Sequence, residues 1–321
     1  MACDTAVAAR HRRPARRSES VSVRPWGAAL LLVVVATGCS ATAADPDASS
    51  RGPASAPEIT KNVPVPGEEA RKIVVPFDAY NISPAEGMTI DLAEDSLIGD
   101  CMRGQGMKWP ALPRPAERDI EPPNRRSYGV VEPDAARVFG YHVPQDRPSV
   151  ARMRAALRAR TKQLSPEERR AAYGDESTHG PGGCQKKARR KMMKGAPEID
   201  VSLFNKRIFD AFDRSQRDEK VKRAFRAWSG CMAKTGFRYK DPLAAVTDER
   251  WGTRKPSRTE IRAARADVWC KEETGLTEIW MAAEKRIQDD CIRRHPEDFR
   301  TLKTNKDVQL KAARRILAER G

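Results

Sequence analysis

Aromatic residues make up only 6% of this 321-residue chain, which argues against a large β-sandwich or barrel. Only one apolar run approaches membrane length, so the chain is not a multi-span transporter. Histidine is scarce. His142, His179 and His295 are the only ones beyond the N-terminal region, and no Cys-x-x-Cys or His-x-x-x-His spacing occurs. We therefore expect no metal site and no cofactor. A Gly-x-Ser-x-Gly elbow, a His-Glu-x-x-His helix, a phosphate loop and a dinucleotide fingerprint are all missing. What the sequence does carry is an address and an architecture.

The address lies in the first forty residues. Arg10, Arg12, Arg13, Arg16, Arg17 and Arg24 precede an apolar run from Trp26 to Ala36, and small residues follow. A positive head, a short apolar core and small residues make an export signal. The run is shorter than the roughly 20 residues of a spanning helix. Ala36-Thr37-Gly38-Cys39 resembles the lipobox of bacterial lipoproteins. That resemblance implies transfer of a diacylglyceryl group to the Cys39 thiol and cleavage before it, and a pair of acyl chains gives stable anchoring where one is marginal. The alternative is an ordinary signal peptide with a cysteine near its cut site. The paired arginines lack the Phe-Leu of a twin-arginine signal, which favours the general export route.

From Ser40 to Val75 the composition shifts to Ala, Ser, Pro, Asp and Glu. Pro46, Pro53, Pro57, Pro64 and Pro66 interrupt it, and we expect a disordered tether over 39–75. Charge is unevenly divided. Residues 40–100 carry a net −7 and residues 101–321 a net +19, within a total of +16. The densest basic stretch is Lys186, Lys187, Arg189, Arg190, Lys191 and Lys194. It suggests attraction to an anionic cell-wall polymer or lipid headgroups. The alternative is the solvated face of an Arg-rich helix. Nucleic acid is disfavoured, because no aromatic-basic interleaving is present.

The body reads as mainly helical. Ser83-Pro84-Ala85-Glu86, Ser165-Pro166-Glu167-Glu168 and Ser257-Arg258-Thr259-Glu260 are capping boxes, two with proline at the first helical position. Over 216–235, Val221, Ala224, Phe225, Trp228, Cys231 and Met232 share one helical face. Further helices are expected over 258–273, 276–294 and 297–319. The Pro-, Arg- and Gly-rich stretch 109–148 should be loop with a short strand.

Cys101-Met102-Arg103-Gly104-Gln105-Gly106-Met107-Lys108-Trp109 matches Cys231-Met232-Ala233-Lys234-Thr235-Gly236-Phe237-Arg238-Tyr239. The shared frame is Cys-Met, three residues, Gly, apolar, base, aromatic. Cys270 to Leu276 repeats it loosely. Physically this is a helix C-terminus: Gly takes the left-handed position and the next apolar residue folds back, Met107 onto Met102 and Phe237 onto Met232. Each cysteine should then face the core one turn inside the helix end. The echo suggests two related halves, 76–195 and 196–321. A shared capping solution is the alternative.

These stretches, with Tyr128-Gly129-Val130, Gly140-Tyr141-His142, Gly182-Gly183-Cys184 and Trp228-Ser229-Gly230-Cys231-Met232, resemble a group of uncharacterised actinobacterial secreted proteins and lipoproteins. The likeness covers about residues 76–294. It implies export and paired cysteines, and no activity. Cys291 departs from the even cysteine count of that group. With Cys3 in the signal and Cys39 given to lipid, five cysteines remain, and they allow fifteen two-bridge arrangements. The repeat points to one bridge per half, Cys101–Cys184 and Cys231–Cys270, with Cys291 left over. Outside the cytoplasm such cysteines form disulfides.

His179-Gly180-Pro181-Gly182-Gly183-Cys184 could place an activated thiol at a helix start. The simpler expectation is a Gly-rich turn before a bridged cysteine. Asp289-Asp290 and Glu272-Glu273 should be solvated helix positions, and Trp228, Trp269 and Trp280 should be core. The sequence thus predicts a lipid-anchored, mainly α-helical protein with long Pro/Gly-rich loops on the outer face of the cytoplasmic membrane. Its segments are a signal over 1–38, a tether over 39–75 and a helical domain over 76–321. Its expected role is a binding or structural module. The alternative is a cell-envelope hydrolase whose active site no motif reveals.

Overall fold

Local chemistry decides where the helices begin. In a computed structural model that describes residues 63–175 and 181–320, all three capping boxes close. Ser83, Ser165 and Ser257 accept from the backbone N–H of Glu86, Glu168 and Glu260, and each glutamate takes the serine N–H in return. These boxes open α2 (Pro84–Arg103), α5 (Pro166–Tyr173) and α10 (Arg258–Thr274). Side-chain caps from Asp200, Asp218 and Asp241 open α7 (Val201–Gln216), α8 (Glu219–Lys234) and α9 (Pro242–Val246). The remaining helices are α1 (Glu68–Arg71), α3 (Pro133–Phe139), α4 (Pro148–Gln163), α6 (Gly183–Met192), α11 (Leu276–Arg294) and α12 (Pro296–Ala318). The fold is mainly α, and no strand occurs among the described residues. The signal, Cys39, the tether up to residue 62 and His179 lie outside the described residues.

The two repeated helix ends have the expected geometry. Met107 N–H donates to Met102 C=O and Phe237 N–H to Met232 C=O, both at 3.0 Å. Gly106 and Gly236 sit at φ +75° and +90°, where a side chain would be strained. Met102 and Met232 are fully buried, whereas Cys101 and Cys231 are only half-buried. The burial comes from their partners: Cys101–Cys184 and Cys231–Cys270 are both bonded, with Cα–Cα distances of 5.7 Å, and Cys184 and Cys270 are core residues. Cys291 belongs to neither bridge and is buried.

The repeat stops at the cap. Cys184 lies in the first turn of its helix, whereas Cys270 lies near the end of α10. The suggested halves do not pack as separate bodies either. Ala313 and Ile316 of α12 share a core with Ala93, Leu97 and Met102 of α2 and with Cys184, Ala188 and Met192 of α6. Tyr128 and Val131 pack with Trp280 and Ala283 of α11. The echo extends no further than the helix end.

Three further expectations need correction. The packed chain starts before residue 76, since Val63, Ala70, Ile73 and Val75 are buried. Glu132 fastens this entry segment by accepting from Gly67 N–H at 2.7 Å. The stretch 109–148 holds no strand. Val130 and Val131 are buried, but Gly129 at φ +81° precedes them and Pro133, which lacks an N–H, starts α3. Trp228 and Trp280 are fully buried, with Asp267 and Ser215 accepting from their indole N–H, but Trp269 is 49% exposed.

Arginine holds the long loops. Arg125 bridges Glu121 and Glu132. Arg147 donates to Glu121 and to the carbonyls of Asp119 and Pro64. Arg160 pairs with Asp95, donates to Pro110 C=O and lies 4.1 Å from the Trp109 ring centre. A planar guanidinium suits this work because its fixed fork reaches several acceptors at once.

Candidate functional site

The basic stretch forms the outward side of α6. Cys184, Ala188 and Met192, spaced by four, turn inward, and Lys186, Lys187, Arg189, Arg190 and Lys191 are exposed, with Lys194 just beyond the helix end. Arg189 pairs with Glu94 of α2 at 3.2 Å. The other five bases make no ion pair among the described residues. The first turn of α6 is pinned to α2 by the Cys101–Cys184 bridge, so this charged face has a rigid mount. Cys184 is consumed in that bridge, which removes the activated-thiol reading. Glu272, Glu273 and Asp289 are exposed, as expected, whereas Asp290 is half-buried and pairs with Arg293 and Arg294.

A second feature escapes every local sequence pattern. The turn over 76–83, the start of α2, the segment 119–124 and the start of α4 enclose a cavity of about 560 Å³, within the range of small-molecule sites. Five carboxylates line it: Asp78, Asp91, Asp119, Glu121 and Asp146. Two guanidiniums, Arg147 and Arg154, oppose them. Four of the acids are already engaged. Asp78 accepts from Asn124 and from Val75 N–H. Asp119 accepts from Ser149, whose hydrogen bonds hold its carboxyl below the usual range. Glu121 binds Arg125 and Arg147, and Asp146 binds Arg154. Asp91, exposed at the rim, makes no hydrogen bond or ion pair among the described residues. Partial desolvation by the wall, and then Glu94, raises its carboxyl. Arg147 is 1% exposed, and its Nη2 finds no acceptor.

Across Asp78, Asn81 and Asn124 lies an apolar hollow of about 370 Å³. Phe77, Ile208, Phe209, Phe212 and Leu243 line it, with Glu284 and Gln288 among the wall residues. Glu284 accepts from Tyr128 OH and Gln288 Nε2, both at 2.8 Å, and burial raises its carboxyl. Phe209 is 69% exposed. Asn124, which belongs to both walls, is the one non-glycine residue with positive φ among the described residues, at +59°. A third hollow, of about 240 Å³, touches Lys271, whose amine donates to Asp267 and to Val130 C=O. That buried pair is structural.

Among the described residues no group of three His, Cys, Asp or Glu is placed to hold a metal, and no helix is long and apolar enough to cross a membrane. No family model, no curated protein and no solved structure matches the chain.

Proposed function

We propose that this is a lipid-anchored, extracytoplasmic binding protein that engages an anionic polymer or lipid headgroups of the cell envelope through α6. The observation that carries the reading is the row of exposed bases, five of them without an acidic partner. An acid-paired helix face would have little net attraction to offer. The lipobox-like Ala36-Thr37-Gly38-Cys39 supports anchoring at Cys39, and two disulfides suit an oxidising compartment.

A base close to an anionic membrane contributes about 1 kcal/mol. Reversing Lys186, Lys187, Arg190 and Lys191 to Glu should therefore weaken binding to anionic vesicles, or to anionic wall polymer, by well over a hundredfold at 50 mM salt. The unaltered protein should lose affinity as salt rises. Comparing vesicles with isolated polymer identifies which polyanion is bound. Retention that ignores both salt and the charge reversal removes the reading. Labelled palmitate should enter the chain, and a Cys39→Ser variant should stay unlabelled.

A further inference from the structure

We infer that the Cys101–Cys184 bridge is a redox gate on the basic helix: oxidised, it keeps α6 wound for a polyanion, and reduced, it lets the first turn of α6 open. This rests on the reading of α6 as a polyanion-binding face and adds the regulation of that site.

The sequence of α6 is poorly suited to hold a helix unaided. It has ten residues, fewer than the roughly 12–15 at which an isolated helix becomes even marginal. Its N-cap is Gly182, without a side-chain hydrogen bond, and no acid occupies its first turn. Lys186 and Lys187 instead place positive charge near the positive end of the helix dipole. Lys186 and Arg190 lie one turn apart on the same side, as do Lys187 and Lys191, and these like charges repel. The exposed row that attracts a polyanion therefore works against the helix that displays it.

The opposing hold is small. Ala188 and Met192 enter the core shared with α2 and α12. Gln185 and Arg189 both donate to Glu94 Oε1 of α2, at 2.9 and 3.2 Å. Gly182 N–H donates to Tyr173 C=O at 2.9 Å. The remaining inward residue is Cys184, and its hold on α2 is the covalent one. The bridge is shielded. Cys184 is 1% exposed, and Gln105 Nε2 lies 3.1 Å from its sulfur and 3.5 Å from that of Cys101.

Reduction by a dithiol breaks the S–S bond in two exchange steps. The two cysteines take up two electrons and two protons, and the dithiol closes to its own disulfide. Without the bridge, α6 is left to its two apolar contacts and its polar ones, and the fraction of chains presenting a wound basic face falls. Apparent affinity falls with that fraction. The linkage is reciprocal: the factor that reduction takes from polyanion affinity is the factor by which a bound polyanion resists reduction of the bridge.

The test equilibrates the full chain in dithiothreitol buffers of varied reduced-to-oxidised ratio, with and without saturating inorganic polyphosphate. Alkylation and peptide mass read each bridge separately. Polyphosphate should raise the ratio that half-reduces Cys101–Cys184 by about threefold or more. The ratio for Cys231–Cys270, which belongs to a different core, should not move. Cys101→Ala with Cys184→Ala should bind polyphosphate more weakly by the same factor, whereas Cys231→Ala with Cys270→Ala should bind as the unaltered chain does. Circular dichroism checks that the other helices persist, and if they do not, the redox equilibrium on the unaltered chain decides. An unshifted ratio, an equal shift for both bridges, or full affinity in a folded Cys101→Ala, Cys184→Ala variant overturns the gate. The reading of α6 survives those results as long as reversing Lys186, Lys187, Arg190 and Lys191 to Glu weakens polyphosphate binding. If that reversal changes nothing, the reading of α6 falls and the gate falls with it.

Discussion

Removing the Cys231–Cys270 bridge, by Cys231→Ala with Cys270→Ala, should destabilise the domain by about 4 kcal/mol. The bridge closes a loop with a sequence separation of 39. In the chain-entropy model that loop restricts the unfolded ensemble by about 3.9 kcal/mol at 25 °C. Cys101–Cys184 closes a separation of 83, and the same relation gives about 4.6 kcal/mol. Loop length enters only as a logarithm, so doubling it adds less than about 1 kcal/mol. Loss of a buried sulfur, from Cys270 in one pair and Cys184 in the other, adds a similar small cavity cost to both. The two double variants should therefore be destabilised almost equally, although one bridge spans twice as much chain. Urea unfolding followed by helical ellipticity measures this, with reductant excluded. Mass analysis before and after verifies that Cys291 has not entered a new bridge. A loss below about 1 kcal/mol at unchanged m-value would falsify the reasoning. It would mean that the unfolded chain is already confined without the bridge.

Gly140→Ala should cost about 2 kcal/mol or more, read as a fall in urea midpoint. Gly140 has φ +56° and ψ −126°, and an added Cβ would lie 2.7 Å from Glu260 Oε1; a loss of less than about 0.5 kcal/mol would refute this role. His142 supplies a pH signature. Its Nδ1 and Nε2 each lie 2.6 Å from an acceptor, Glu260 Oε1 and Thr253 C=O, so both nitrogens carry protons and these hydrogen bonds raise its pKa. Its contribution to stability is complete below about pH 6.5, the unfolded value, and is lost as pH rises through the folded value. Urea midpoints from pH 6 to 9 should fall more steeply for the unaltered protein than for His142→Asn, and parallel profiles would refute the assignment.

How much of this was legible in sequence follows from the range of each interaction. Ser83, Ser165 and Ser257 announce their helices because a capping box spans only three residues. The Cys-Met-x-x-x-Gly ends are equally local, and counting cysteines against them leads to both bridges. The tether boundary misleads because Pro64 and Pro66 look like spacer, while Ala70 and Ile73 pack against residues such as Tyr128 and Trp280, far along the chain. Trp269 sits between the buried Val268 and Cys270 on α10, yet its own face turns to solvent. The cavities are illegible for the same reason in stronger form. Asp91, Asp119 and Asp146 stand in separate segments of unremarkable spacing, and only the closure of α2 and α4 around the 76–83 turn brings them to one hollow.

Composition alone also conceals where the charge resides. Six bases are buried among the described residues: Arg125, Arg147, Arg160, Arg207, Lys271 and Lys306. Each pairs with a carboxylate, in order Glu132, Glu121, Asp95, Asp298, Asp267 and Glu86, with Glu121 also shared by Arg125. Setting these pairs aside removes as many acids as bases. The net positive charge of the folded body is therefore carried by groups in reach of solvent. Bases of one kind thus serve two ends. Paired and buried, three of them, Arg125, Arg147 and Arg160, close the Pro-rich segments, where removing the carboxylate would strand a buried charge at a cost of several kcal/mol. On and just beyond α6 five others have no acid to pair with among the described residues, and the field they create is free to act on something outside the chain.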